Sequence, residues 1–227
     1  MGLPKLEKPK VGVVTPISNQ KIKVSPFTMK EQKILAIIKN SKNQGDILAA
    51  MLDIVESCST ADVSKLDPIE FQWVFLQIRK VSAGRFIESR LICGSCQKPT
   101  EAKIDLDDFV VLAPEKMENK IELTDKIGLM LRKIDVTKLV DIDDSDDNEM
   151  LKLVIDYIYD ENDIYKPEDF SADEIVDFMD NIPLDKLQKI VDWIQNRGSM
   201  ILNKDWDCPH CKAKNNLKVE GIGDFFT

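Results

Sequence analysis

Cys93-Gly-Ser-Cys96 and Cys208-Pro-His-Cys211 are two Cys-x-x-Cys knuckles placed far apart in one chain. Arg85 to Ile92 alternates into the first knuckle, and Thr100 to Leu106 runs back from it. Asn203 to Asp207 and Asn216 to Glu220 flank the second in the same grammar of strand, knuckle and strand. Zinc favours four thiolates in a tetrahedron, and each Cys-x-x-Cys turn offers two sulfurs to one side of an ion. The spacing therefore predicts one closed, structural Zn2+ site held by Cys93, Cys96, Cys208 and Cys211. Two hairpins pinned at their tips by that ion form a zinc ribbon, and residues 97 to 207 must leave it and return. A thioredoxin-like redox role for either pair is the rival reading. It needs a cysteine at a helix N-terminus within a βαβ unit, whereas both pairs lie between strand-like runs.

His210, the single histidine, sits inside the second knuckle. Ligation by its ring would displace a cysteine within a three-residue span, so it reads as a partly exposed turn side chain. Ser-His-Asp or Cys-His catalysis has no other histidine to draw on. There is no Gly-rich phosphate loop, no His-Glu-x-x-His and no Gly-x-Ser-x-Gly. These observations predict a protein that is not an enzyme and has no small-molecule substrate. The net charge of -9 over 227 residues argues against a general nucleic-acid binder, which needs a basic footprint. No apolar run approaches the roughly 20 residues of a membrane helix, and the start of the sequence has no apolar leader region, so a reducing cytosolic setting is expected. The fifth cysteine, Cys58, follows Leu52, Ile54 and Val55 and reads as a small buried side chain.

Apolar residues make up 43% of the chain, enough for one large domain or two small ones. Residues 1 to 10 form a Pro/Lys-rich arm, and Leu6 at the sixth position rules out a myristoylation signal at Gly2. Val11 to Val14 and Lys21 to Ser25 read as a hairpin around Ile17 to Gln20. Thr28-Met-Lys-Glu31 is a capping box opening a helix to about Asn40. Further helices are expected from Asn43 toward Cys58 and from Asp67-Pro-Ile-Glu70 onward, the latter with proline at the tolerated first position. Lys120 to Thr124 and Ile127 to Arg132 suggest strands, and Asp135 caps a short helix. The acidic run Asp141 to Glu149 lacks the glycine and glutamate of a calcium loop at the sixth and twelfth positions, so it reads as a solvated loop. Beyond it, Asn148 to Tyr159 is expected to be helical, as are a segment capped by Ser171-Ala-Asp-Glu174 and Leu184 to Asn196. The fold class is α+β: a helical body with a four-cysteine, zinc-ribbon-like pair of β-hairpins built from distant segments. Residues 1–27 are the arm and hairpin, 28–83 a helical region, and 84–106 with 203–227 the split ribbon and tail. Residues 107–202 are an inserted, mostly helical subdomain.

The start Gly2-Leu-Pro-Lys-Leu-Glu-Lys-Pro-Lys10, the segment Ser25-Pro-Phe-Thr-Met-Lys-Glu-Gln-Lys33, the two knuckles and the closing Gly221-Ile-Gly-Asp-Phe-Phe226 carry a resemblance. The whole chain resembles the T4-type bacteriophage baseplate hub assembly proteins. That resemblance implies a non-enzymatic role in building the hub of a phage tail, with other tail and baseplate hub proteins as partners. It implies a protein made in the cytoplasm of an infected bacterium, retained in the virion tail baseplate or released after assembly. The alternative is a nucleic-acid-binding zinc-ribbon accessory factor, supported by Lys98, Lys103, Lys212, Lys214 and Lys218 around the knuckles and opposed by the overall charge.

Overall fold

A computed structural model describes residues 6–38, 41, 43–142 and 147–221. The first residues of the arm, the expected end of the first helix at Asn40, the centre of the acidic run and the aromatic tail lie outside the described residues. The chain divides into two compact units, one comprising residues up to Ala113 together with those from Ser199, the other Pro114–Gly198.

In the first unit, β1 (Val11–Val14) and β2 (Lys21–Val24) pair antiparallel, Val11 opposite Val24. Their turn is clamped from a distance. Glu70, only 2% exposed, accepts the Ile17 and Ser18 amides at 3.1 and 2.7 Å and the Ser18 hydroxyl at 2.9 Å. Helix α1 (Met29–Ile38) starts where the capping sequence places it. Glu31 turns back to accept the Thr28 amide at 2.7 Å and the Thr28 hydroxyl, and Ser57 reaches its other oxygen at 3.3 Å. Burial alone would raise the Glu31 pKa. The hydrogen bonds from Thr28 outweigh it, with help from Lys8 at 3.7 Å, and hold the group at about 2. Helix α2 (Gln44–Cys58) is capped by Asn43, and α3 (Pro68–Ala83) by Asp67, which accepts the Ile69 and Glu70 amides at 2.9 and 2.8 Å. Cys58 is buried at the end of α2, and burial pushes its thiol pKa up.

The two ribbon hairpins follow the flanking runs of the knuckles. Strands β3 (Phe86–Ile92) and β4 (Pro99–Asp105) pair from Phe86 opposite Asp105 to Ile92 opposite Pro99. Strand β5 (Val110–Leu112) comes next in the chain.

Pro114–Gly198 builds a core of its own. Strands β6 (Lys120–Glu122) and β7 (Gly128–Leu131) appear where alternation predicts them. Val136–Leu139 is a 3-10 turn capped by Asp135, whose carboxylate accepts the Thr137 amide at 2.9 Å. The helix expected over 148–159 is cut in two. Helix α4 (Asp147–Val154) stops, and Ile155–Tyr159 is strand β8, paired to β7. Arg132 explains the break: its amide and side-chain Nε take the Val154 and Leu153 carbonyls at 2.7 and 3.0 Å, while β7 offers an open edge to a β-branched and aromatic run. Strand β9 (Ile164–Tyr165) ends the antiparallel sheet β6-β7-β8-β9. Helix α5 (Ala172–Asp180) carries a complete Ser171/Glu174 capping box, and α6 (Leu184–Gln195) follows. Leu129, Val154, Ile155 and Ile190 form the buried centre of this unit.

Chain return completes the first unit. Strand β10 (Ser199–Asp207) pairs with β11 (Lys214–Glu220), and β5 joins its other edge with Leu112 opposite Ser199. The molecule is thus mixed α and β with small antiparallel sheets, and Ile104, Leu202 and Val219 form a buried cluster shared by the two ribbon hairpins.

Candidate metal centre

Each knuckle is a tight reversal built the same way. The Cys93 amide donates to the Lys98 carbonyl at 3.2 Å and the Gln97 amide to the Cys93 carbonyl at 2.9 Å. In the second, Cys208 donates to Ala213 and Lys212 to Cys208, both at 2.9 Å. The residue after each second cysteine adopts a left-handed conformation, Gln97 at φ 57° and Lys212 at φ 60°. A side chain there costs roughly 1–2 kcal/mol, which the doubled backbone bonding of the turn offsets.

The fold brings the two knuckles together. Cys93, Cys96, Cys208 and Cys211 place their sulfurs within 4.8 Å of one another. The cross-knuckle pairs Cys93–Cys211 and Cys96–Cys208 are each 3.7 Å apart. A disulfide would need about 2.05 Å, and all four thiols are free. Zn–S bonds of about 2.3 Å in a regular tetrahedron put sulfurs about 3.8 Å apart. The cluster therefore has the dimensions of an S4 site for a divalent cation. His210 is exposed and contributes nothing to the sulfur cluster.

Charge points the same way. Cys93 and Cys208 are wholly buried, Cys96 is half-buried and Cys211 exposed. The Cys96 amide, more than any other group, lowers the Cys93 pKa to about 6, against desolvation and with help from the Ser95 amide and Asn215. At Cys208 desolvation is the largest influence, but the Cys211 and His210 amides overcome it and the pKa falls. The Ala213 amide favours the Cys211 thiolate, yet desolvation and the three neighbouring sulfurs push it up to about 12. Sulfurs this close cannot all ionise unaided at neutral pH, and a cation bound among them would supply the missing positive charge.

Asn215 was not foreseen from the sequence. From β11 it crosses to the other hairpin, where its Oδ1 accepts the Gly94 amide at 3.0 Å and its Nδ2 lies 3.6 Å from the Cys93 sulfur. The repeat of the knuckle grammar held a hint: Asn215 stands seven residues after Cys208, as Thr100 does after Cys93. The two positions are not equivalent in bonding. Pro209 replaces Gly94 in the second knuckle and has no N–H to offer, and the Thr100 hydroxyl is buried without a partner. Lys98, Lys103, Lys212, Lys214 and Lys218 are all exposed, and Lys103 lies 4.4 Å from the centre of the Phe86 ring.

No described helix is long and apolar enough to cross a membrane. Comparison with curated proteins and with solved structures finds no match. The family model described as T4 bacteriophage base plate protein matches residues 8–227, a span that includes both knuckles, and the chain belongs to that family.

Proposed function

We propose that this base plate protein is a non-enzymatic subunit or assembly chaperone of the baseplate hub, which binds other tail proteins and is braced by a structural Zn2+ on Cys93, Cys96, Cys208 and Cys211. The observation that carries the reading is the family match over residues 8–227. The sulfur spacing of 3.7 Å supports zinc as the ion, since four thiolates close its coordination and leave no position for substrate. Bound there, the ion would act as a cross-link between two hairpins that share only a small core. The protein acts in the cytoplasm of the infected bacterium, where tails are built, or travels in the tail baseplate.

The test is a phage lacking the gene. Infected cells should accumulate heads and incomplete tails, and affinity capture of the tagged chain should recover hub proteins. Normal infectious tails from the deletion would overturn the reading. Metal analysis of the purified chain should find one zinc per chain. The competing reading, nucleic-acid binding, draws on charge distribution: outside Pro114–Gly198 the chain has 20 Lys/Arg against 17 Asp/Glu. A gel shift that weakens steeply with salt would favour it.

A further inference from the structure

Within Pro114–Gly198 an apolar groove of about 340 Å3 opens between the β8–β9 edge and α5. Ile158, Ile175 and Phe178 on its floor continue the core of the unit, while Tyr165 and Phe170 form a wall with ring centres 6.1 Å apart. Phe170 is 39% exposed although it is fully apolar. The wall is preset: the Asp160 carboxylate accepts the Asn162 and Asp163 amides and the Tyr165 hydroxyl, each at 2.8 Å. A wall fixed before binding loses little freedom when a ligand arrives.

The groove is predominantly acidic in its setting, although Lys120 lies over the Tyr159 ring and Lys126, beside Ile127, pairs with Glu161. Pro114–Gly198 holds 23 Asp/Glu against 11 Lys/Arg, the reverse of the balance in the rest of the chain. Residues 156 to 180, which supply nearly all of the lining, contain ten acidic residues and one basic residue, Lys166. Only acidic charged groups, Asp160 and Glu174, line it. This excess repels nucleic acid and disfavours a second copy of the same acidic unit pressed face to face.

We propose that the groove docks a segment of another base plate protein, one whose apolar side chains enter between Phe170 and Phe178 while adjacent lysines or arginines meet the acidic rim. The source of the partner rests on the proposed function; the chemistry of the segment does not. Apolar anchors supply affinity and the opposite charges supply orientation and encounter rate.

The test uses the full chain and a fluorescent peptide of alternating Lys and Leu/Phe, followed by anisotropy. The same peptide with Glu for Lys, and one with Ser for every apolar residue, serve as comparisons. The basic apolar peptide should bind at least tenfold more tightly than either, and its affinity should fall severalfold from 50 to 500 mM salt, as expected for exposed charges. Phe170→Ser should weaken it about tenfold with unchanged thermal melting. Equal binding of the acidic peptide, no binding at all, or indifference to Phe170→Ser would overturn the proposal. So would a dimer in sedimentation that Phe170→Ser disperses. In the phage, Phe170→Ser should impair tail assembly. Normal tails from that variant reject the groove and leave the base plate role standing, whereas normal tails from the gene deletion reject the role itself.

Discussion

Replacing Asn215 by alanine probes the proposed metal centre without touching one of its four cysteines. The side chain makes two contacts with the opposite hairpin, the Gly94 amide at 3.0 Å and the Cys93 sulfur at 3.6 Å. Gly94 is exposed, so water can replace the first at little cost. The second is a donor to a thiolate, and bonds to charged groups are worth about 1.5–3 kcal/mol. The low end applies because N–H to sulfur at this distance is a long bond, which puts the loss near 1.5–2 kcal/mol. With about 1.4 kcal/mol per decade, zinc affinity should drop ten- to thirtyfold, inside the range seen when partners of metal ligands are removed. In the metal-free chain Cys93 should also lose reactivity toward alkylation near neutral pH, because one of the groups lowering its pKa is gone. The assay is competition with a chromophoric chelator at pH 7. Asn216→Ala is the control, since its amide is spent on Asn203 and Asp205, each at 2.7 Å, away from the sulfurs. Equal affinity in the two variants would refute the reasoning, and a wild-type chain that binds no metal would remove its foundation.

Three more outcomes are expected. Cys93→Ser, or chelation of the wild type, should abolish metal binding and strip hydrogen-exchange protection from β3, β4, β10 and β11, while β7, β8 and α6 keep theirs through their separate core; uniform protection after metal removal sinks the idea of a bracing ion. Glu31→Gln should cost about 3 kcal/mol at pH 7, because a carboxylate held at about 2 against its ordinary 4.5 contributes stability above the higher value and loses it as pH falls through the lower. The gap between wild type and variant in urea unfolding should therefore close between about pH 4.5 and pH 2, and a gap independent of pH would contradict the assignment. Glu70→Ala should destabilise by about 1–2 kcal/mol, since it removes three hydrogen bonds to the β1–β2 turn, two of them from exposed Ser18, where water can step in; proteolysis of that turn should quicken, and an unchanged cleavage rate counts against the clamp.

Much of the molecule was readable along the chain, and the readable parts share a cause. The knuckles, the Asp67 cap on α3, the Ser171/Glu174 box on α5 and the Asp135 turn all depend on residues within a few positions of one another. Sequence spacing alone determined them, and the pairing of two distant Cys-x-x-Cys turns followed from the coordination number of a metal. What only the tertiary structure decided involves partners that no local rule connects. The apolar residues of 148–159 suit a helix face, and only the edge of β7 and the side chain of Arg132 make Ile155–Tyr159 a strand. Glu70 reads as a first-turn helix residue until the β1–β2 turn arrives above it, and Asn215 is one more polar strand residue until the other hairpin stands opposite. A side chain's spacing sets which groups it could bond, but burial and long-range approach decide which ones it does.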